Sequence, residues 1–348
     1  MRLAIATDAW HPQVNGVVRS LQATAAELGR IGIAVTMITP EGRRTIALPS
    51  YPDIRLALVG ATAMGRHLEA IRPDHVHIAT EGPIGLAVRR ACLRQGRLFT
   101  TSFHTRFPDY LAARLPVPRG LTFAALRWFH NASHGVMVAT DGLADELTGR
   151  GFQRVMRWSR GVDASLYHPR EISILDLPRP IFLSVGRVAV EKNLDEFLSL
   201  DLPGSCVVVG DGPAKAELQA RHAGATFLGT RTGEDLARLY ASADVFVFPS
   251  RTDTFGIVLL EALASGLPVA AYPAGGPLDV IGTSGAGVLS HDLRAACLAA
   301  LAIPKAQARA HAMRFSWTES TRQFLANIEA ARTYTRAAPR AEPLASTP

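Results

Sequence analysis

The sequence predicts an α/β protein made of two doubly wound, Rossmann-like domains that face each other across a cleft. Three observations predict it. Short apolar runs alternate with helical stretches along the whole 348-residue chain, which indicates parallel sheets covered by helices on both faces. The chain is long enough for two domains of ordinary size. A segment rich in proline and turn residues, 161–180, interrupts the alternation near the middle.

We therefore expect a first domain over residues 1–168, a second over 169–335 and a disordered tail over 336–348. The last helix is expected to pack back on the first domain. In the first domain the predicted strands are 3–7, 34–38, 54–58, 75–78, 98–101 and 135–138. In the second they are 181–185, 206–209, 226–227, 245–248 and 268–271, and the predicted helices include 19–32 and 253–266.

Composition narrows the class of protein. Apolar runs are broken well before the roughly 18 residues that a transmembrane helix needs, and no signal peptide is predicted. Three cysteines in apolar surroundings, Cys92, Cys206 and Cys297, favour a reducing cytoplasm. Residues 1–170 carry 21 Arg and no Lys against 12 Asp and Glu. Such a basic half suggests an anionic partner, such as membrane headgroups or nucleic acid, or a composition without electrostatic purpose.

The first motif, residues 8–19, follows strand 3–7 and opens a helix. Gly16 in this loop would allow backbone N–H groups to approach an anion closely, although a plain turn is the alternative. The G-x-G-x-x-G fingerprint of dinucleotide-binding dehydrogenases does not occur in the loop. The motif therefore favours a phosphate-bearing ligand other than a redox dinucleotide.

The second motif, residues 101–110, places His104 among polar residues just after a strand. A histidine there could bind a substrate hydroxyl or act in proton transfer, although an isolated histidine is more often structural. Glu81 ends the preceding strand and Arg106 follows His104. We assign Glu81, His104 and Arg106 to the acceptor side of the cleft.

The third motif, residues 186–193, supplies cations after the first strand of the second domain. Arg187 and Lys192 at the start of a loop and helix could hold a diphosphate without a metal. The sequence contains no D-x-D pair and no His/Cys cluster with ligand spacing, so we expect no essential metal. A solvated Arg/Lys face is the alternative. The loop at 210–213 is more consistent with a structural turn.

The fourth motif, residues 244–268, runs from an apolar strand through a polar turn into a helix. Asp253 lies in the turn, Phe255 and Gly256 follow it, and Glu261 lies on the helix. Two carboxylates with seven residues between them at a strand end can hold a sugar hydroxyl or a ribose, while the helix N-terminus faces a phosphate.

Together these segments resemble a known family. G-R-x-x-x-E-K-N, G-D-G-P and D-T-F-G-x-V-x-L-E-A-x-A-S-G-x-P-V are similar to the family 4 retaining glycosyltransferases of GT-B fold. The resemblance implies transfer of a sugar from a nucleotide diphosphate sugar, with retention and without an essential metal. It implies front-face attack, in which the leaving phosphate takes the proton of the acceptor.

By matching position, the resemblance implies that Arg187 and Lys192 hold the diphosphate and that Glu261 binds the ribose. Gly16 would approach the phosphate, and His104 would lie beside the donor sugar. The first acid of the family's E-x7-E pair, which contacts that sugar, is Asp253 here. The shorter side chain makes donor identity an open question. The catalytic residues implied are His104, Arg187, Lys192 and Asp253; Gly16, Phe255, Gly256 and Glu261 complete the donor site.

The acceptor is less directly encoded. Residues 114–129 interleave Arg with Phe and Trp, as an interfacial helix would, although a core-facing amphipathic helix has the same pattern. The 102–110 segment resembles bacterial members that glycosylate lipids such as diacylglycerol or use mannose. We expect a peripheral membrane enzyme of glycolipid synthesis at the inner face of the cytoplasmic membrane, using UDP-glucose, UDP-glucuronic acid or GDP-mannose.

Three other functions are consistent with the same residues. A soluble glycosyltransferase with a small-molecule or glycan acceptor would use the same donor site. A non-catalytic sugar-nucleotide-binding protein would bind the donor without turnover. Nucleic-acid binding is disfavoured, because no recognised binding motif accompanies the basic half.

Overall fold

The protein contains two six-stranded parallel sheets, each with helices on both faces. The structure, a computed structural model, describes residues 1–13, 15–48, 51–106 and 118–333. The predicted tail at 336–348 lies outside the described residues. The α/β class and the two doubly wound units are confirmed.

The first sheet has the strand order β2-β1-β5-β6-β7-β8. Its strands are β1 (Arg2–Ala6), β2 (Ala34–Ile38), β5 (His75–Ile78), β6 (Phe99–Ser102), β7 (Val136–Val138) and β8 (Val155–Arg157). The helices are α1 (Gly16–Arg30), α2 (Ala61–Ile71), α3 (Pro83–Arg94), α4 (Arg119–His130) and α5 (Asp141–Gly149). Strand order reverses direction at the β1–β5 pair, where Leu3 is in register with His75.

The second sheet repeats this plan with the order β11-β10-β9-β12-β13-β14. Its strands are β9 (Ile181–Val185), β10 (Ser205–Val209), β11 (Thr226–Phe227), β12 (Val245–Phe248), β13 (Val269–Ala271) and β14 (Gly287–Leu289). The helices are α6 (Leu194–Leu198), α7 (Lys215–Arg221), α8 (Gly233–Ser242), α9 (Ile257–Ala264), α10 (Gly275–Val280), α11 (Leu293–Ala300) and α12 (Lys305–Ala312). Here the reversal lies at the β9–β12 pair.

Three sequence-based assignments differ from the structure. The strand predicted at 54–58 belongs to β4 (Tyr51–Ala57), which pairs antiparallel with β3 (Thr45–Leu48) in a separate ribbon. The prediction that it joins the parallel sheet was wrong, because two residues between strands allow a hairpin but not a parallel crossover. The edge strands β8 and β14 were missed because all their residues are only partly buried and neither forms a clear apolar run. The helix predicted at 253–266 begins at Ile257, because Gly256 has a φ of 80°.

The chain crosses between the sheets twice, at neighbouring places. Val162 N–H donates to Phe315 O at 3.1 Å where the outgoing and returning segments meet. A Cβ on Gly161 would lie 2.3 Å from Trp317 N, so only glycine fits there. The returning helix α13 (Trp317–Thr333) then packs against α1, and its Phe324 and Ile328 are fully buried in the core of the first sheet.

A buried polar ladder runs along the middle of the first sheet. Thr100 Oγ1 lies 3.0 Å from His75 Nε2 and 2.9 Å from His77 Nδ1, and Ser102 Oγ lies 2.8 Å from His77 Nε2. Both histidines are at most 1 % exposed. Burial lowers the pKa of His75 to about 3, from an ordinary 6.5, and lowers the pKa of His77 as well. Both imidazoles are therefore neutral in the folded protein at pH 7.

Acidification is expected to destabilise the fold through these histidines. The unfolded chain protonates His75 below about pH 6.5, whereas the folded chain resists until about pH 3. The free energy of unfolding therefore does not depend on this histidine's protonation above pH 6.5. It decreases as the pH falls below 6.5, by about 2 kcal/mol at pH 5. Urea unfolding at pH 7 and pH 5 measures the effect, and His75→Gln should show a smaller loss than the wild type. The exposed His291→Gln variant is the control; equal losses in the wild type and His75→Gln would contradict the prediction.

Candidate functional site

Three of the four motifs lie at the two places where strand order reverses, and the second motif follows β6, the strand next to β5. The loops after β1 and β5 leave the first sheet at its reversal, and the loops after β9 and β12 leave the second sheet at its reversal. In open α/β sheets this crevice is where ligands bind, because the two loops diverge there. The fold therefore gathers Arg187, Lys192 and Asp253 at one edge of the second sheet.

The loop that carries Arg187 and Lys192 is held by glycines of the neighbouring strand end. A Cβ on Gly210 would lie 1.8 Å from Gly186 O, and a Cβ on Gly212 would lie 2.3 Å from Val188 O. Val188 N–H also donates to Asp211 O at 2.9 Å. The turn at 210–213 is thus structural. It supports the loop from behind, so that the turn Val190–Lys192 directs Lys192 towards β12.

Lys192 is paired with Asp253 from the adjacent loop. Its Nζ lies 2.6 Å from Oδ1 and 2.8 Å from Oδ2 of that carboxylate. Burial raises the pKa of Asp253, but the charge and hydrogen bonds of Lys192 outweigh burial and bring the pKa below its ordinary value. Asp253 is therefore ionised at neutral pH. Arg187, whose side chain is 37 % exposed, lies near Glu191 and adds positive charge to the same place.

Phe255 and Gly256 have structural positions within the predicted donor site. Phe255 is 5 % exposed, belongs to the core of the second sheet and meets the ring of Phe315 edge to face. Gly256 has a left-handed backbone and caps helix α9. Gly276 N–H donates to Asp253 O at 3.0 Å, so the start of α10 holds the same loop from its other side. These residues fix where Asp253 lies.

Glu261 is a buried carboxylate that is neutralised from the first domain. It is 3 % exposed, and Arg19 of helix α1 forms an ion pair with its Oε1. Tyr240 OH donates to Oε2 at 3.1 Å. Burial alone would lower the pKa of Arg19, but Glu261 raises it above its ordinary value. The predicted ribose-binding acid is thus already joined to the opposite domain.

The start of helix α1 faces the start of helix α9 across the cleft. A Cβ on Gly16 would lie 3.7 Å from Ile257 Cδ1, which is ordinary van der Waals contact. Asn15 Oδ1 accepts hydrogen bonds from the N–H groups of Val17 and Val18, each at 3.0 Å. Those two N–H groups are therefore satisfied within the chain, and the start of this helix lies close to the second domain at Gly16 and at Arg19.

His104 touches both domains. Its backbone oxygen accepts a hydrogen bond from Thr254 Oγ1 at 2.8 Å, next to Asp253 in the chain. Its Nδ1 lies 3.0 Å from the guanidinium of Arg160. Burial first, and the charge of Arg160 second, hold the pKa of His104 well below its usual range. The imidazole is therefore neutral at pH 7.

The two other residues assigned to the acceptor side have protein partners. Glu81 Oε1 lies 3.0 Å from Nε2 of the buried His130. Arg106 binds Glu146 of helix α5 with two hydrogen bonds, of 2.7 and 3.3 Å. These contacts tie both residues into the first domain. The segment that follows Arg106, residues 107–117, lies outside the described residues.

Sequence reasoning left four residues of this region unassigned: Arg19, Arg160, Tyr240 and Thr254. Arg19 ends the first motif, so its position was visible but its partner was not. Arg160 follows β8, an edge strand that was not among the predicted strands. Among the described residues, no group of three or more His, Cys, Asp and Glu side chains could hold a metal ion.

Comparison with known proteins places this geometry in context. Residues 14–166 match the model of glycosyltransferase family 4, and residues 169–303 match that of the glycosyl transferases group 1. A GDP-mannose-dependent alpha-mannosyltransferase of Mycobacterium tuberculosis is 33 % identical, over 83 % of each chain. An alpha-monoglucosyldiacylglycerol synthase of Streptococcus pneumoniae is 27 % identical, over 86 % of this chain and 78 % of its own.

Solved structures share the fold. The HepE protein of Anabaena, crystallised with UDP and glucose, superimposes with a TM-score of 0.71 over 94 % of this chain and 99 % of its own, at 16 % identity. At that identity the likeness concerns the fold alone. It agrees with two parallel sheets whose strand-order reversals face one another.

Proposed function

Because this chain belongs to glycosyltransferase family 4 and is a GT-B glycosyltransferase that uses a nucleotide sugar, we propose that it transfers a hexose or hexuronic acid, with retention, to a membrane lipid such as diacylglycerol. The observation that carries the proposal is the Lys192–Asp253 pair beside Arg187, at the strand-order reversal of the second sheet. At this place Lys192, which could bind a diphosphate, donates a hydrogen bond to Asp253, which could bind a sugar hydroxyl.

Among possible donors, GDP-mannose is favoured over UDP-glucose and UDP-glucuronic acid. The relative with 33 % identity bears the name of a GDP-mannose-dependent enzyme. Its alpha-mannosyl product has the configuration of the sugar in GDP-α-mannose, so that name fits retention. Asp253 supports recognition of a sugar hydroxyl because Lys192 keeps it ionised. Its short side chain brings the carboxylate close to the strand end and leaves more room for the donor sugar.

The reaction needs the protein chiefly to stabilise charge. The bond between C1 of the sugar and the phosphate oxygen breaks, and its electron pair stays on the departing diphosphate. Lys192 and Arg187 neutralise that growing charge. A new bond forms between C1 and the acceptor oxygen on the same face, and the acceptor proton passes to the departing phosphate. No side chain is required as a nucleophile, and no essential metal is part of this proposal.

The lipid acceptor is supported by an exposed apolar stripe on helix α4. Leu121 is 65 % exposed and Trp128 is 56 % exposed, seven residues apart on one face, with exposed Ala125 between them. Two exposed arginines of the same helix, Arg119 and Arg127, flank these side chains. Apolar side chains beside arginines suit the boundary between acyl chains and anionic headgroups. Residues 114–117 of the predicted interfacial segment lie outside the described residues.

A location at the inner face of the cytoplasmic membrane follows from this proposal. The three cysteines are free thiols, which is typical of proteins in a reducing compartment. No described helix has the length and apolar character needed to cross a bilayer. The relative named alpha-monoglucosyldiacylglycerol synthase supports diacylglycerol as a chemical class of acceptor.

A donor screen tests the proposed reaction. Release of nucleoside diphosphate is measured from GDP-mannose, UDP-glucose and UDP-glucuronic acid, with and without diacylglycerol in mixed micelles. We expect GDP release from GDP-mannose, stimulation by the lipid, an alpha-linked product and the same rate with EDTA. Stimulation by a soluble sugar but not by diacylglycerol would indicate a soluble glycosyltransferase instead. Loss of activity with EDTA that returns with Mg²⁺ would contradict the metal-free mechanism.

Lys192→Ala is expected to lower kcat by about 10²- to 10³-fold, because a cation aimed at the departing diphosphate acts mainly in the transition state. Unfolding by urea shows whether the variant is folded. Lys215→Ala is the matched control, since Lys215 forms an exposed pair with Asp211 behind the same loop. Near-wild-type turnover in Lys192→Ala would contradict the assignment to the diphosphate.

Vesicle flotation tests membrane binding. The wild type should float with vesicles that contain phosphatidylglycerol and much less with pure phosphatidylcholine, because arginines border the stripe. The double variant Leu121→Ser/Trp128→Ser should lose flotation while its lipid-free donor hydrolysis is kept. The control Ile174→Ser/Leu301→Ser removes two comparably apolar exposed residues from the second domain. Equal flotation of both double variants would contradict docking through α4.

A further inference from the structure

Arg160 makes an unusual contact with His104. One guanidinium nitrogen of Arg160 lies 3.0 Å from Nδ1 of His104. An arginine can only donate hydrogen bonds, so Nδ1 must offer its lone pair and cannot carry a proton. A neutral imidazole has one N–H group, which then lies on Nε2. The contact therefore determines the tautomer of the histidine.

Arg160 is held rigidly for this task. It is 3 % exposed, and a second guanidinium nitrogen donates to the carbonyl oxygens of Trp158 and Ser159 at 2.5 and 2.9 Å. The guanidinium also stacks 4.2 Å from the centre of the Trp158 ring. Among the described residues no carboxylate pairs with it. Burial lowers the pKa of Arg160 to about 9, so it still donates at pH 7.

The other side of the imidazole carries an unmet hydrogen bond. His104 Nε2 is shielded from solvent and has no hydrogen-bond partner among the described residues. An N–H group buried in this way is destabilising until an acceptor reaches it. The backbone oxygen of the same residue is bound by Thr254, the neighbour of Asp253. His104 therefore lies against the loop that carries Asp253, where the donor sugar is proposed to bind, and its Nε2–H has no acceptor among the described residues.

We propose that Arg160 is a positioning residue that fixes His104 as an Nε2–H donor to an oxygen of the donor sugar or its phosphate. The proposal rests on the proposed function of the cleft. It also decides between the two roles that the sequence left open for His104. A base would need a lone pair on Nε2 and a proton on Nδ1, which would place two N–H groups against each other at 3.0 Å. His104 is a hydrogen-bond donor and not a base.

The tautomer can be measured without any activity. In protein labelled with ¹⁵N-histidine, long-range ¹H–¹⁵N spectra distinguish Nδ1 and Nε2 protonation, and His104→Gln identifies the signals. We expect Nε2–H for His104, unchanged from pH 8 to pH 5.5. In Arg160→Met the signals should show mixed tautomers or titration, whereas Arg89→Met, which removes another buried, indole-stacked arginine, should leave them unchanged. An Nδ1–H tautomer in the wild type would overturn the proposal. This measurement needs only the wild-type protein, so it tests the proposal even if none of the variants folds.

A double-mutant cycle connects the tautomer with the reaction. Arg160→Met should lower kcat/KM for donor hydrolysis on the order of 10- to 100-fold, and Arg160→Lys should recover part of the loss. Because Arg160 acts through His104, Arg160→Met should add almost nothing in the His104→Leu background. Independent, multiplying losses would overturn the proposal. Absence of donor hydrolysis in the wild type would instead count against the proposed function and leave the tautomer measurement valid.

Discussion

The ion pair between Arg19 and Glu261 is the interaction on which the geometry of the cleft depends. Glu261 lies on a helix of the second domain and is almost wholly buried, yet its countercharge comes from the first domain. A buried carboxylate that lost its partner would destabilise the protein by several kcal/mol. The two domains are therefore held at a separation that keeps this pair intact. A Cβ on Gly16 would already be in van der Waals contact with Ile257, so the two domains also come close at this point.

Two further contacts extend this constraint to the rest of the cleft. Thr254 binds the backbone of His104 from the other domain, so the loop that carries Asp253 and the loop that carries His104 are fixed relative to each other. At the crossing point, Gly161 leaves room for the returning chain at Trp317. Helix α13 then joins the core of the first domain. The polar contacts across the cleft, together with packing where the chain crosses between the sheets, thus determine one arrangement of the domains.

Within that arrangement, charge is distributed as the proposed reaction would need. Lys192 and Arg187 would neutralise the departing diphosphate, and Asp253 is kept ionised by Lys192. The charge of Arg160 is stabilised by two backbone carbonyls and by the Trp158 ring. Another guanidinium nitrogen can therefore donate to His104. The acceptor side is different, because Glu81 and Arg106 are committed to His130 and Glu146. An acceptor would therefore not bind these two side chains directly. It would contact the surfaces that they hold in place.

Local sequence patterns predicted the α/β class and most strands of both sheets, because strand periodicity is a local property. Motif spacing also led to Arg187, Lys192, Asp253 and Glu261 as predicted site residues, and the structure brings Lys192 and Asp253 together. The same patterns did not determine the antiparallel pairing of β3 with β4, or the partners of Glu261 and His104. Arg19 and Arg160 lie 242 and 56 residues from those partners. The first separation is bridged only when the two domains pack, and the second only when β6 and β8 are placed in one sheet. Tertiary structure alone decided which charge neutralises which, since desolvation and pairing act between residues that no local pattern connects.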